Sequence, residues 1–317
     1  MNILSLFDGI SCGKVALEQV GINVDAYYAS EIDKNAIAIS KKNHNGIIYL
    51  GDITKWREWD IPWAEIDLIL AGSPCQGFSR AGKCLNFADP RSRLFFTFVD
   101  ILNAIKEKNP SVKFLLENVK MKNEWRDIIS EQCGVNPIDI NSKVLSAQNR
   151  LRTYWTNIPV KGQPKDIGAK LLEILEHTID TSNFIEHQGL LFSPDISENS
   201  RNLVNVVDGE IRISQPVKRG YIVAKSGDGI NLSFPTSKSR RGRVIKQKSP
   251  TADCACNICV LHDGVIREFT TRELERLQTL PDGYTEGFSD GIARKTIGNG
   301  WTVAVIAYIL SFIPTEE

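Results

Sequence analysis

The chain reads as an α/β protein with a mostly parallel seven-stranded sheet and a smaller β-rich region, on three observations. Seven short apolar runs occupy the first half, stretches of helical periodicity alternate with them, and past Pro159 that rhythm stops. The runs are 3–7, 24–30, 47–50, 66–71, 112–117, 138–144 and 152–157. Between them, 14–19, 34–42 and 94–106 carry apolar residues at the spacing of one helix face. Strands that alternate with helices pair in parallel, because each crossover helix returns the chain to the same edge of the sheet.

From about 160 to 265 the sequence turns rich in Ser, Asn, Gly and short β-like pieces such as Tyr221–Ala224, the composition of a separate small domain. Helical character returns at 271–280 and at 303–312. The expected organisation is therefore a first domain over 1–158, a small β-rich domain over 159–267, and a returning segment over 268–317.

Composition bounds the function. At 317 residues and 42% apolar content the chain can bury a substantial core, and nothing in it predicts disorder. Its 38 basic and 38 acidic residues cancel, so a charged partner must meet a local patch. One such patch exists: between Gln215 and Pro250 nine basic residues stand against the single acid Asp228, a local excess of +8. That imbalance points to a polyanion, with phosphate contacts as its use. Seven irregularly spaced cysteines do not make a disulfide framework and suggest a reducing compartment. The first residues lack the features of a signal peptide, and no apolar run reaches the ~18 residues of a membrane helix. A cytosolic, nucleoid-associated or nuclear protein is expected.

The most informative motif is Gly72-Ser73-Pro74-Cys75-Gln76-Gly77-Phe78-Ser79, which follows directly on the run 66–71. It places Cys75 at the carboxyl edge of a buried strand, where ligands bind in open α/β sheets. A thiol is intrinsically a strong nucleophile, and a local positive field activates it further. Phe7-Asp8-Gly9-Ile10-Ser11-Cys12-Gly13 ends the first strand and opens a helix without the spacing of a dinucleotide fingerprint. Glu31 ends the second strand, where a carboxylate can accept both hydroxyls of a ribose, and Asp52 ends the third. Taken singly, these are turn or helix-capping residues. In order, they predict a site for an adenosine-bearing ligand. Cys254, Cys256, Cys259 and His262 offer soft metal ligands, but on an extended strand 259 points away from the other three, so no metal site is expected.

This order of motifs resembles the DNA cytosine-5 methyltransferases. The matching pieces are Phe7-Asp8-Gly9, Glu31, Gly51-Asp52, Ser73-Pro74-Cys75-Gln76, Glu117-Asn118-Val119, Gln148-Asn149-Arg150-Leu151-Arg152, Arg272-Glu273-Leu274-Glu275-Arg276-Leu277-Gln278 and Gly298-Asn299-Gly300. They cover the chain except about 160–245. Some details are similar to animal de novo-type enzymes, and the Pro-Cys-Gln-Gly-Phe-Ser loop is similar to bacterial and phage enzymes.

The resemblance implies a Rossmann-like methyltransferase sheet with a small target-recognition domain, S-adenosyl-L-methionine as methyl donor with S-adenosyl-L-homocysteine as product, and double-stranded DNA as substrate. It further implies a cytoplasmic, prokaryotic or phage-encoded enzyme associated with the nucleoid, either an orphan or the partner of a cognate restriction endonuclease. Cys75 would add to carbon 6 of cytosine, Glu117 would hydrogen-bond or protonate ring N3, Arg152 would hold the base carbonyl and Glu117, and Arg150 would help hold the catalytic loop. Phe7 would pack on adenine, Asp8, Gly9, Ile10, Ser11 and Cys12 would bound the methionine moiety, and Glu31 would bind the ribose. Asp52 and Ile53 would meet the adenine edge, with Ile32, Thr54 and Pro74 nearby, and Asn299, Gly300 and Trp301 would close the pocket. Two departures stand out: Ile32 replaces an aromatic of many bacterial members, and Gly300-Trp301 replaces Ser-Val. Residues 76–93 would be a mobile loop that closes over DNA, with Gln76, Ser79 and Arg80 touching it. Lys238, Arg240, Arg241 and Arg243 would touch DNA from the small domain.

Three rivals follow. An RNA cytosine methyltransferase could use the same scaffold, but the Cys-Phe-Thr-Lys-type segment of the tRNA-directed branch is missing. A non-catalytic DNA-binding relative is disfavoured by intact Cys75 and Glu117. An unrelated Rossmann-like oxidoreductase would need a dinucleotide fingerprint.

Overall fold

The computed structural model describes residues 1–73, 90–253 and 258–314. It divides into two compact units, the first made of 1–141, 151–164 and 303–317 and the second of 142–150 and 165–302. The second unit thus takes in nine residues that precede the last strand of the large sheet and runs on to 302, where the sequence suggested 159–267.

The first unit is built from β1 (Asn2–Leu6), α1 (Cys12–Gln19), β2 (Ala26–Ser30), α2 (Lys34–Asn43), β3 (Ile47–Tyr49), β4 (Ile66–Gly72), α3 (Pro90–Lys108), β5 (Lys113–Val119), α4 (Asn123–Cys133), β6 (Pro137–Asn141) and β7 (Leu151–Thr156), with a last helix, Val303–Leu310. The strands lie in the order β3-β2-β1-β4-β5-β7-β6. Strands β3, β2, β1, β4 and β5 pair in parallel, and β7 runs antiparallel to both of its neighbours, β5 and β6. The seven expected strands are all present, in an α/β fold with a large, mostly parallel sheet.

Burial explains why the central strands read as unbroken apolar runs. In β4 the residues Leu68, Ile69, Leu70 and Ala71 are all fully buried, because helices cover both faces of the sheet. Phe95, Phe98, Ile101, Leu102 and Ile105 of α3 recur at helical spacing and pack into the same core as Phe114, Leu116 and Trp155. Helix α3 opens at Pro90, four residues earlier than its apolar periodicity indicates, so its backbone takes up the end of the expected loop 76–93.

Two other boundaries moved for local reasons. The run 138–144 stops as a strand at Asn141, where residues Ser142–Val144 form a 3-10 turn. The helix α4 has few buried residues and was not legible as an apolar stripe; it ends in a Gly134 with φ 71°, whose N–H bonds Ser130 O.

The second unit contains β8 (Ile185–His187), β9 (Leu190–Phe192), α5 (Glu198–Arg201), β10 (Val204–Val207), β11 (Glu210–Ser214), β12 (Tyr221–Ala224), β13 (Asp228–Asn231), β14 (Arg243–Ile245), β15 (Cys259–His262), β16 (Val265–Glu268), α6 (Thr271–Leu277) and α7 (Asp290–Asn299). Its strands form an antiparallel meander, β10-β11-β12, and a six-stranded sheet, β14-β13-β15-β16-β9-β8. One core joins them, with Phe192, Val204, Ile213, Ile230, Leu261 and Ile266 all buried. Cys259 belongs to that core, and burial pushes its thiol well above the ordinary range. Cys254 and Cys256 lie outside the described residues.

Candidate active site

The turn from β1 to α1 places three residues in the left-handed region, Phe7 (φ 59°), Gly9 (φ 61°) and Ser11 (φ 62°). A non-glycine residue holds that conformation only where neighbours over-determine it. Here the determinant is Asp8. Its Oδ1 accepts Ser5 Oγ at 2.5 Å and Tyr27 OH at 2.8 Å, and its Oδ2 accepts Ser11 Oγ at 2.5 Å. Since the single proton of Ser11 is committed to Asp8, Ser40 must donate to Ser11 and Tyr49 to Ser40, at 2.5 and 2.7 Å. Burial raises the pKa of Asp8 to about 6, against the pull of its hydroxyl donors Ser11, Ser5 and Tyr27. The side chain of Asp8 thus serves the fold beneath the turn. Ile10, Ser11 and Cys12 are buried behind it.

Glu31 stands at the carboxyl end of β2 and fixes the same turn from outside. Its Oε2 accepts the Gly9 N–H at 2.8 Å, and its Oε1 accepts the N–H groups of Ile32 and Asp33 at 2.7 and 2.8 Å. Beside it the Ile32 side chain is 71% exposed, an apolar surface at the edge of the sheet. Asp52 caps the short 3-10 segment Ile53–Glu58 through the Thr54 N–H at 2.9 Å. Ile53 itself packs into the core, while Asp52 and Thr54 face solvent.

The next carboxyl edge belongs to β4 and β5. Gly72 and Glu117 are register partners across the two parallel strands. Asn118 Nδ2 bonds Ser73 Oγ at 3.0 Å and Ser73 O at 3.3 Å, which tethers the last described residue before Pro74 and Cys75. Glu117 Oε1 lies 2.9 Å from Arg152 Nε, in an ion pair whose two side chains are 12% and 15% exposed. Pro74, Cys75, Gln76, Ser79 and Arg80 fall outside the described residues. Among the thiols that are described, Cys133 is buried with its pKa pushed up to about 12, so it is no nucleophile.

Within the second unit the motif residues are polar struts. Arg150 is buried and donates to Ala252 O at 2.6 Å, Gly298 O at 3.2 Å and Gly300 O at 3.0 Å. Those bonds give it the task of bracing the segment that carries Asn299, Gly300 and Trp301. Gln278 shares that task, donating to Ile297 O and Gly300 O while accepting from Thr302 Oγ1 and from Gln148 Nε2. In α6, Glu273 is fully buried against Arg267, and Glu275 accepts Gly283 N–H, Thr285 N–H and Thr285 Oγ1. The polar residues Glu273, Glu275 and Gln278 of this motif are thus internal.

The basic stretch is smaller than its count. Lys246 pairs with the buried Asp228 at 2.8 Å, and Lys248 donates to the carbonyls of Lys143, Ser146 and Ala169, so both belong to the fold. Arg241 donates to Ser237 O and Lys238 O, bracing its own loop. Lys238, Arg240 and Arg243 are exposed. The meander adds a group not singled out in the sequence: Arg212 and Arg219 both lie over the Tyr221 ring, at 4.7 and 4.4 Å from its centroid.

Sequence reasoning missed the roles of Tyr27, Ser40, Asn118 and Gln278. One signal was available: Ser5 interrupts an otherwise apolar strand, and a polar residue there needs a buried partner.

A parallel sheet with one antiparallel strand near its edge, and acidic and Gly-rich residues at successive carboxyl edges, defines an α/β enzyme of the methyltransferase class. Residues 1–314 match the family model of the C-5 cytosine-specific DNA methylases, and the chain belongs to that family. It is 31% identical to the type II methyltransferase M.NlaX of Neisseria lactamica, over 97% of this chain and 94% of that protein. It is 29% identical to the type II methyltransferase M1.ScrFI of Lactococcus lactis subsp. cremoris, over 96% and 76%. Among solved structures, a putative DNA modification methyltransferase encoded within an E. coli prophage matches with TM-score 0.62 and 20% identity, over 99% and 98% of the two chains. The chain is a DNA cytosine-5 methyltransferase, as its motif order implies.

Proposed function

We propose that the protein takes its methyl group from S-adenosyl-L-methionine, releases S-adenosyl-L-homocysteine, and acts on a cytosine flipped out of a specific duplex sequence through a covalent Cys75 adduct. The observation that carries this reading is the Glu117–Arg152 ion pair, 2.9 Å long, on the strand whose Glu117 is in register with Gly72. Cys75 follows Gly72 by three residues.

The donor fits the residues of the first unit. Gly9 has open space where a Cβ would stand, so a ligand can approach the backbone of the turn. Glu31 offers a carboxylate for ribose hydroxyls, and exposed Ile32 offers an apolar face for adenine. Phe7, Asp52 and Thr54 complete that edge. When bound, the sulfonium supplies an activated methyl group to carbon 5.

The protein's own work is to make carbon 5 accept it. The Cys75 thiolate bonds carbon 6, and the displaced electrons make carbon 5 enamine-like. Glu117 meets N3, where charge develops, and Arg152 holds Glu117 and the base carbonyl. After transfer the proton on carbon 5 is lost to water, the bond from sulfur to carbon 6 breaks, and the thiolate returns. Unstacking the base costs a few kcal/mol, which contacts from Gln76, Ser79, Arg80 and the basic stretch offset. The type II relatives are bacterial, so a cytoplasmic, nucleoid-associated enzyme with a cognate restriction endonuclease is the matching setting.

Base-resolution mapping of 5-methylcytosine in a plasmid exposed to the protein tests this reading. Methylation confined to one short sequence is expected, and Cys75→Ala should give none while duplex DNA still binds. Methylation by that variant, or methyl transfer to tRNA in place of DNA, would overturn it.

A further inference from the structure

The loop between β13 and β14 carries two large apolar side chains, Leu232, which is buried, and Phe234, which is not. Phe234 is 53% exposed and sits at φ 58°, in the left-handed region. Both features are unfavourable to folding, and a bulky residue held there points to a function. The Arg240 guanidinium lies over the phenyl face, 4.0 Å from its centroid, and among the described residues it makes no ion pair. The loop that joins the two is braced by its own hydrogen bonds. Ser237 N–H bonds Phe234 O, Arg240 N–H bonds Ser237 Oγ, and Arg241 ties down the carbonyls of Ser237 and Lys238. At the loop's end Gly242 lies so close to β11 that an added Cβ would stand 2.0 Å from Ser214 O. A cation and an apolar ring are thereby presented together, beside Lys238 and Arg243.

We infer that the Phe234–Arg240 pair is a specificity-determining element that reads one base-pair step in the DNA major groove. Arg240 takes the O6 and N7 of a guanine, and Phe234 takes the 5-methyl group of an adjacent thymine. One observation and two chemical arguments support it. A stacked pair separated by 4.0 Å is close to the ~3.4 Å rise between base pairs, so its two members can address neighbouring pairs. Arginine's fork matches guanine in the major groove, and an aromatic ring is a matching contact for a thymine methyl. A phosphate needs only charge, which Lys238 and Arg243 already offer; an exposed strained phenyl adds nothing to that use. The inference rests on the reading of this region as DNA-binding.

The test uses the full chain and the duplex site found by methylation mapping, with binding measured by fluorescence anisotropy over a salt series. Wild type should lose roughly 5- to 150-fold in affinity when 7-deazaguanine replaces the contacted guanine. It should lose about fourfold when uracil replaces the adjacent thymine. Arg240→Ala should already have lost the first factor and be insensitive to 7-deazaguanine, and Phe234→Ala should be insensitive to uracil. Phe234→Ala should bind scrambled duplex within about twofold of wild type, Arg240→Ala should weaken scrambled binding clearly less than cognate binding, and both should melt at the wild-type temperature, since the side chains are exposed. A mapped site without a guanine next to a thymine would overturn the inference. So would variants that keep both base sensitivities, or variants that weaken cognate and scrambled binding equally. Wild-type protein that binds no duplex would remove the DNA-binding reading itself, and the inference with it.

Discussion

Ser11 Oγ donates to Asp8 Oδ2 across 2.5 Å, from a residue whose own backbone is left-handed at φ 62°. The bond turns a carboxylate under the β1–α1 turn into the hub that gathers Ser5, Tyr27 and Ser11. Burial lifts its pKa from 3.8 to about 6, so the folded state holds a proton that the unfolded state has released between those values. The stabilising contribution of the protonated form is complete below pH 4 and is lost as pH rises through about 6.

Asp8→Asn is uncharged at every pH and should remove that slope. Across pH 4 to 7 its stability relative to wild type should rise by on the order of 2–3 kcal/mol and then level off. Urea unfolding of both proteins at half-unit pH steps measures the difference. A difference that stays flat over that range would show that Asp8 titrates normally.

Glu31 has more to do than a ribose ligand needs, since its two oxygens accept three backbone N–H groups. Glu31→Ala should therefore weaken S-adenosyl-L-methionine binding and also cost about 1–3 kcal/mol of stability, from amides left without their acceptor. Glu31→Gln keeps one carbonyl acceptor and should fall between. Calorimetric titration with the cofactor and chemical denaturation read the two effects separately. Cofactor affinity unchanged in Glu31→Ala would remove it from the ribose site.

Glu117→Gln should bind cofactor and DNA like wild type and lower the single-turnover rate by about 10²–10⁴-fold, because a neutral amide cannot supply a proton at N3. Unchanged chemistry in that variant would leave the pair with Arg152 a purely structural one.

What the sequence revealed and what it hid divide along physical lines. Central strands such as β4 are buried and apolar on both faces and show as unbroken runs, whereas the edge strands β3 and β6 show only as short ones; Tyr221–Ala224 is legible at its observed bounds. Helix α7 is not legible: Gly291, Gly298 and two threonine or asparagine positions give it poor local propensity, and packing alone makes it a helix. The candidate carboxylates Glu31 and Glu117 are legible by their place at strand ends. The hydrogen-bond partners of Asp8 and Gln278 are not, because Tyr27 and Gly300 lie 19 and 22 positions away, and no local pattern encodes such a bond. The charge count overstated the basic face for the same reason, since Lys248 looks like a surface lysine until its three carbonyl partners are seen.

The pair Arg267 and Glu273 gives the sharpest stability test. Arg267 Nη1 and Nη2 meet Glu273 Oε2 and Oε1 at 2.8 and 2.7 Å, with the side chains 4% and 0% exposed. Glu273 also accepts the N–H groups of Thr270 and Glu176, closing the capping box that starts α6. Removing one partner of a buried pair leaves the other charge without compensation, so Arg267→Met should cost about 3–5 kcal/mol. The double variant Arg267→Met, Glu273→Leu buries no charge and should regain part of that loss. It should not regain all of it, because the amides of Thr270 and Glu176 lose their acceptor at about 1–3 kcal/mol. Denaturant unfolding of the wild type, both single variants and the double variant gives the coupling. Losses that simply add would mean that the two side chains do not sense each other in the folded protein.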